Sequence, residues 1–291
     1  MRVLITGSNG QLGSEIKELE NNDKKVDFIF RDLPELDICN FKALQAFILD
    51  NNINAVINCA AYTAVDKAEE ESIIATKVNY EGVLNIVNAL QTVNGKLIHI
   101  STDYVFDGNN FLPYKELDPV SPIGVYGDTK RAGELSVINS DIDSIVIRTS
   151  WLYSSYGNNF VKTMLRLGNE KENLGVIFDQ VGTPTYARDL AKTCLEILTG
   201  VNSAKISKNG NLYHYSNEGV ASWYDFAISI MELGGENCKV KPIQTKDYST
   251  LAKRPHFSVL NKSKIKTDFK IEIPYWRDSL KDCLEKIKIS L

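Results

Sequence analysis

Short apolar runs alternate with longer stretches that are apolar on one side only, and the alternation keeps a regular beat from Arg2 to about Ile147. The runs Val3–Ile5, Val26–Phe30, Ala55–Asn58, Lys96–Ile100 and Ser144–Ile147 are mostly aliphatic and β-branched, the pattern of strands covered on both faces in a parallel sheet. Between and after them, Gln11–Glu20, Phe41–Asp50, Ser72–Gln91, Tyr126–Asn139 and Phe160–Leu167 repeat apolar residues at helical spacing with polar residues opposite. Strand and helix in turn predict an α/β fold, a Rossmann-type doubly wound parallel sheet. After Ser150 the rhythm loosens into turn-rich pieces at Ser154–Asn159 and Ser203–Asn211, helices at Tyr186–Leu198 and Trp223–Leu233, and a basic tail. The expected division is a dinucleotide-binding domain at 1–150. Residues 151–291 form mainly a smaller lobe that binds substrate, with some segments returning to the first core. No repeat and no Pro/Gly/Ser-rich linker separates the two, so they are expected to share a continuous core.

Composition narrows the class of partner. The 291 residues are 43% hydrophobic and 24% charged, enough for one large core with an appendage. A net charge of −4, without a dense Lys/Arg block, predicts no attraction to nucleic acid or anionic lipid. The five cysteines, Cys39, Cys59, Cys194, Cys238 and Cys283, are odd in number and scattered, as expected of reduced thiols in the cytoplasm. The amino-terminal stretch reads as a strand rather than a signal peptide, and no run is long enough to cross a bilayer. His99, His214 and His256 lack metal-ligand spacing, so no catalytic metal is expected.

Chemistry enters with the glycines. The first strand runs into Gly7-Ser8-Asn9-Gly10-Gln11-Leu12-Gly13 and then a helix. Glycines there allow a tight turn, a close backbone approach to a pyrophosphate and close packing of helix on strand, while the free N–H groups of the helix attract the anion. The second strand ends at Phe30-Arg31-Asp32, where a side chain normally meets the adenosine ribose. Asp32 suits the 2′-hydroxyl of NADH and Arg31 the 2′-phosphate of NADPH, so the sequence leaves both open. Asp37 either caps the next helix or passes, with Ile38, near the adenine. Beyond the third strand, Ala60 and Ala61 are small enough for a cofactor to lie against the backbone, with Tyr62 beside them and Thr63 able to reach a phosphate or ribose. Asn79 reads as support for the active-site end of the sheet.

Strand Lys96–Ile100 leads into Ser101-Thr102-Asp103-Tyr104, which sets Thr102 at the carboxyl edge of the sheet. Further on, Tyr126 and Lys130 lie one helical turn apart on one face. A free tyrosine, with a pKa of about 10, is a poor proton donor at neutral pH, and the lysine is expected to lower that value. Thr102 would hold a substrate oxygen while Tyr126 protonates it and Lys130 also anchors the ribose.

Taken together, the motifs resemble the extended short-chain dehydrogenase/reductases, and within them the branch that reduces deoxysugar nucleotides. The matching pieces include Leu4-Ile-Thr-Gly-Ser-Asn-Gly-Gln-Leu-Gly13, Asn58-Cys-Ala-Ala-Tyr-Thr-Ala-Val-Asp-Lys-Ala-Glu69, Ser101-Thr-Asp-Tyr-Val-Phe-Asp-Gly108, Tyr126-Gly-Asp-Thr-Lys-Arg-Ala-Gly-Glu134, Arg148-Thr-Ser-Trp151, Asp179-Gln-Val-Gly-Thr-Pro-Thr185 and Arg254-Pro-His-Phe-Ser258. They run in order over most of the chain. The resemblance implies Thr102, Tyr126 and Lys130 as catalytic triad, with Asp103 and Trp151 contacting a dTDP-sugar. It also implies NADPH- or NADH-dependent reduction of the 4-keto group of dTDP-4-dehydro-L-rhamnose, by a monomer or homodimer. Dehydratases similar to this pattern place a glutamate directly after the Thr-Asp pair, where this chain has Tyr104. Asn159, Gln180 and Arg254 are further candidates for substrate contact, Arg254 through a diphosphate. The alternatives are another nucleotide-sugar enzyme, such as an epimerase, or a noncatalytic cofactor-binding subunit.

Overall fold

The structure, a computed structural model, describes residues 1–20, 26–200 and 211–289. Its centre is a sheet of six parallel strands: β1 (Arg2–Thr6), β2 (Asp27–Arg31), β3 (Ala55–Asn58), β4 (Lys96–Thr102), β5 (Asp143–Thr149) and, far along the chain, a strand at Asn211–His214. The order runs β2-β1-β3-β4-β5 and ends with that late strand. Chain direction across the sheet therefore reverses between β1 and β3, and the crevice at such a switch point is where open α/β sheets bind ligands.

Helices cover both faces because the strands are apolar on both. Val3 and Ile5 of β1 join one buried cluster and Leu4 the other. α1 (Gln11–Leu19) packs on the first face through Leu12 and Ile16. The opposite face receives Leu44 and Ile48 from α2 (Phe41–Asp50). Two short helices follow, α3 (Val65–Ala68) and α4 (Ser72–Thr76), and then a π-helical turn at Lys77–Glu81 that runs into α5 (Gly82–Gln91). The single helix expected over Ser72–Gln91 is thus interrupted, and the sequence pattern does not show why. Its consequence is visible: the wide turn carries the fully buried Asn79, as π-turns at functional sites commonly carry a displaced polar residue. α6 (Val125–Ile138) lies against it so closely that a Cβ at Gly133 would sit 2.2 Å from the Asn79 carbonyl oxygen.

Beyond β5 come β6 (Leu152–Tyr153), α7 (Phe160–Glu170), β7 (Asn173–Ile177), β8 (Val181–Gly182), β9 (Thr185–Tyr186) and α8 (Ala187–Thr199). Then follow β10 (Asn211–His214), the late strand of the sheet, β11 (Ala221–Ser222), α9 (Trp223–Gly234), β12 (Lys239–Ile243), α10 (Ser263–Phe269) and α11 (Trp276–Ile289). The turn-rich piece expected at Ser203–Asn211 falls outside the described residues up to its last position, which begins β10. α8 and α10 return to the first face of the main sheet through Leu190, Ile197, Ile265 and Phe269. α7, α9, α11, β7 and β12 enclose a separate cluster around Tyr153, Phe226 and Trp276. The basic tail is accordingly two helices, α10 and α11, with Lys266, Lys281 and Lys288 exposed, Lys264 and Lys286 half-buried against Leu212 and Glu18, and Ile265, Leu280 and Leu284 buried.

Candidate active site

The glycine loop turns at Gly7, whose φ of +62° lies in the left-handed region. A Cβ on Gly7 would fall 2.5 Å from the Ala60 nitrogen, and one on Gly13 would fall 2.6 Å from the Gly7 carbonyl oxygen. The bare glycines therefore let the loops after β1 and β3 touch at the switch point and draw α1 close behind them. Gly10 is extended, meets only the Gly7 oxygen at 3.2 Å, and leaves room in front of the helix N-terminus. This cradle fits a dinucleotide's pyrophosphate. Leu12 and Ile38 beside the cradle are buried, 4% and 6% exposed.

At the edge of the cradle, Asp32 accepts hydrogen bonds from the backbone N–H of Asn9 (2.9 Å) and of Leu33 (2.8 Å), which ties the loop to the end of β2. Arg31 holds its guanidinium 5.3 Å above the Phe47 ring and donates to the Phe30 carbonyl. Lys17, Asn9 and Arg31 line an open groove here. Asp37 does not cap α2: it accepts from the Cys39 N–H, and the cap is Asn40, accepting from Ala43.

Asn79 supports the loop after β3. Its Oδ1 accepts from the Tyr62 N–H (2.9 Å), and its Nδ2 donates to the Tyr62 carbonyl (3.2 Å) and to Thr129 Oγ1 on α6 (3.1 Å). One buried amide thus couples the Ala60–Thr63 loop, where Thr63 stays exposed, to the helix of Tyr126 and Lys130. Tyr62 turns its hydroxyl to Glu71. Glu69 steadies the start of the same helix by accepting from the Val125 N–H (2.9 Å). A Cβ on Gly127 would lie 2.3 Å from the Tyr104 carbonyl, so the glycine after Tyr126 is what permits α6 to meet the end of β4.

The structure brings Thr102, Asp103, Tyr104, Tyr126 and Lys130 together. Thr102 Oγ1 donates to Asp103 Oδ1 (3.0 Å), accepts from the Tyr104 N–H (3.2 Å), and acts on the Tyr126 phenol. The rings of Tyr104 and Tyr126 meet edge to face with centroids 5.3 Å apart. Buried Lys130 donates to the Ile100 carbonyl at 2.6 Å, and burial lowers its pKa to about 8. In the protein alone, burial raises the Tyr126 pKa to about 12, only partly offset by Thr102, so the phenol holds its proton there. Asp103 is also buried, which raises its pKa to about 7 despite the Thr102 and Ser258 hydroxyls, and its Oδ2 is unpartnered.

Trp151 has φ +48°, a strained conformation for so bulky a residue, and stacks on Trp223 at 3.6 Å and 7°. A Cβ on Gly182 would come within 2.7 Å of the Trp151 indole and 2.6 Å of Ser258 Oγ, so the bare glycine of β8 is what lets the indole and Ser258 pack against it. Trp223 had been legible only as a helix residue, because nothing in sequence pairs two tryptophans so far apart. Two other candidates serve elsewhere. Asn159 caps α7 by accepting from the Lys162 N–H, and its Nδ2 donates to Gln11 Oε1 (3.0 Å) and the Ser154 carbonyl (2.8 Å), which buttresses the cofactor loop. Gln180, buried, donates to Thr245. Arg254 binds the Asp66 carboxylate at 2.6 and 3.1 Å.

Beneath the site lies an ion pair that sequence reading missed. Glu134 of α6 and Arg148 of β5, 0% and 1% exposed, form two bonds of 2.7 and 2.8 Å, with Arg131 adding a third contact at 2.7 Å. Asn58 likewise bridges β1 and β4 beneath the cradle, accepting from Thr6 (2.7 Å) and meeting His99 Nδ1 (3.0 Å). Among the described residues no cluster of His, Cys, Asp and Glu suits a metal ion, and no helix is long and apolar enough to cross a membrane.

Comparison with known proteins points one way. Residues 1–289 match the family described as the RmlD substrate binding domain. A dTDP-4-dehydrorhamnose reductase from Aggregatibacter actinomycetemcomitans is 42% identical over 287 residues, covering 97% of each chain. The crystal structure of such a reductase from Clostridium acetobutylicum superposes with a TM-score of 0.92 at 41% identity, over 99% of this chain and 100% of that one. Another from Bacillus anthracis, in complex with NADP, gives 0.91 at 38% identity over 100% and 99%.

Proposed function

This chain belongs to the RmlD family of dTDP-4-dehydrorhamnose reductases, and from that membership we propose that Thr102, Tyr126 and Lys130 carry its NAD(P)H-dependent reduction of dTDP-4-dehydro-L-rhamnose to dTDP-L-rhamnose. The observation that carries the assignment of roles is the meeting of Tyr126 and Thr102 at the carboxyl end of β4, with Lys130 behind them. The nicotinamide, when bound, supplies hydride to the keto carbon. Thr102 orients the C4 oxygen, and Tyr126, protonated because its phenol is buried, delivers the proton to it. Lys130 sits behind as a charged group that steadies the phenolate left after transfer and reaches the cofactor ribose. Trp151 walls the sugar pocket, and Asp103, whose pKa burial raises to about 7 so that it is about half ionised at neutrality, accepts from a sugar hydroxyl through Oδ2. Residues 151–291 supply most of the surface for the nucleotide-sugar. Arg31 and Lys17, basic groups on the adenosine groove, favour NADPH, since the Asp32 carboxylate is already used on two backbone N–H groups.

The test is a turnover assay. Purified protein with the 4-keto dTDP-sugar oxidises NADPH with a higher kcat/KM than NADH, and UDP competes more weakly than dTDP. No turnover with either cofactor removes the reductase assignment. Equal inhibition by UDP removes the thymidine preference.

A pH dependence follows from Lys130. Burial lowers the ammonium's pKa from 10.5 to about 8, so it is charged at pH 7 and neutral above pH 9. The reductive kcat/KM is expected to fall as pH rises through about 8, and Lys130→Met removes that limb along with most of the rate. Stability moves the other way. Between pH 8 and 10.5 the unfolded chain binds the proton that the folded chain has released, so this lysine's contribution grows more favourable as pH rises.

A further inference from the structure

The Arg254 guanidinium is bound on one edge and open on the other. Nη1 donates to Asp66 Oδ1 (3.1 Å) and to the Ala252 carbonyl (3.1 Å), and Nη2 donates to Asp66 Oδ2 (2.6 Å). Three of its five N–H groups are thereby used, all on the end-on edge and the Nη1 side. The two that remain, on Nε and on the near side of Nη2, are parallel and face the same way, and no described residue accepts from them. That side-on edge matches two oxygens of a phosphate. Asp66 is itself fixed, since its Oδ1 also accepts from the Ala252 N–H at 3.1 Å.

The pair joins two segments far apart in the chain. Asp66 belongs to α3, in the loop region that follows Ala60–Thr63, and three residues on Glu69 caps the Tyr126 helix. Arg254 begins the segment that continues through Phe257, whose N–H donates to the Gly108 carbonyl (3.2 Å), to Ser258 beside Asp103 and Trp151. Tyr104, edge-on to Tyr126, lies within electrostatic reach of Arg254. The ion pair therefore ties α3, which follows the Ala60–Thr63 loop, to the segment that leads to Ser258. The Arg254 and Asp66 side chains are 22% and 41% exposed, so the pair lies partly at the surface.

We propose that Asp66 is a positioning residue: it grips the end-on edge of Arg254 so that the side-on edge is presented to the diphosphate of the dTDP-sugar. The proposal rests on the reading of the substrate given above and adds the residue that aims the anion-binding group. Asp66 and the diphosphate take different edges, so the carboxylate and the ligand bind together rather than in competition.

The experiment uses the full chain saturated with NADP⁺ and measures dTDP affinity by calorimetry, with KM and kcat for the 4-keto dTDP-sugar, in Asp66→Asn, Arg254→Ala, Arg254→Lys and the double variant Asp66→Asn/Arg254→Ala. Asp66→Asn and Arg254→Ala each weaken dTDP about tenfold and raise KM alike, with kcat changed less than about threefold and NADPH affinity unchanged. The double variant is no weaker than Arg254→Ala alone, because the carboxylate acts only through the guanidinium. Arg254→Lys, which keeps the charge but loses the planar fork, behaves as Arg254→Ala and serves if Asp66→Asn proves too unstable to measure. Normal dTDP binding by Asp66→Asn beside weak binding by Arg254→Ala overturns the positioning role, as does tighter binding by Asp66→Asn or additivity in the double variant. Normal dTDP binding by Arg254→Ala overturns the contact of Arg254 with the diphosphate itself, and the turnover assay stands apart from both.

Discussion

Tyr126→Phe is expected to lower kcat by about 10²- to 10⁴-fold, the usual contribution of a positioned general acid, while leaving the KM for NADPH within a small factor. The change removes one oxygen and keeps the ring. The edge-to-face packing on Tyr104 at 5.3 Å therefore survives, and so does the placement of α6 against β4 through Gly127. What disappears is the phenolic proton proposed to reach the substrate oxygen. Lys130 cannot take over, because its ammonium is turned to the Ile100 carbonyl at 2.6 Å. Stopped-flow measurement of NADPH oxidation under single turnover separates the chemical step from product release. A variant that kept the wild-type rate of that step would falsify the assignment of Tyr126 as proton donor, whatever its steady-state kcat.

Arg148→Met is expected to cost about 3 kcal/mol of stability, read from the urea midpoint at unchanged slope. Removing one partner of a buried pair leaves the other charge without compensation, which typically costs about 3–5 kcal/mol. The lower figure applies here because Arg131 keeps one contact with Glu134 from a position 25% exposed. Methionine fills much of the volume beside Phe106, where the guanidinium lies 5.0 Å from the ring, so loss of packing adds little. The double variant Glu134→Leu/Arg148→Met is expected to recover most of the loss, because no charge is then left buried. A single variant within about 0.5 kcal/mol of wild type would mean that water reaches Glu134 and that the pair does not hold α6 to β5. Since α6 carries both Tyr126 and Lys130, the single variant is also expected to lose activity at temperatures well below its unfolding transition.

Periodicity alone placed the strands of the first half, because strands buried on two faces are apolar throughout and helices on such a sheet are apolar on one side. Ala55–Asn58 and Phe41–Asp50 appear at their expected bounds, and the other early strands lie within two residues of theirs. The glycine loop and the Thr102, Tyr126 and Lys130 set were legible for a related reason. A turn at φ +62° and a donor one helical turn from a cation are local requirements, written in consecutive residues. Where a position's partner is remote, the sequence was silent. Ser72–Gln91 carries a continuous helical pattern, yet the chain spends a π-turn there so that Asn79 can face Tyr62 and Thr129. Arg254 and Asn159 read as candidates for substrate contact, and nothing in the sequence shows that Asp66 holds the first or that the second caps α7 and holds Gln11.

The sequence by itself determined that this chain folds around a parallel sheet, turns on glycines at the end of its first strand, and sets a tyrosine and a lysine one helical turn apart on the helix that meets Thr102. Tertiary structure decided the rest. It buried the Tyr126 phenol, and that burial, only partly offset by Thr102, raises the phenol's pKa. It stacked Trp151 on Trp223, and it paired Glu134 with Arg148 and Asp66 with Arg254. Local conformation depends on neighbours a few residues away, whereas desolvation and charge pairing depend on what the rest of the chain brings alongside.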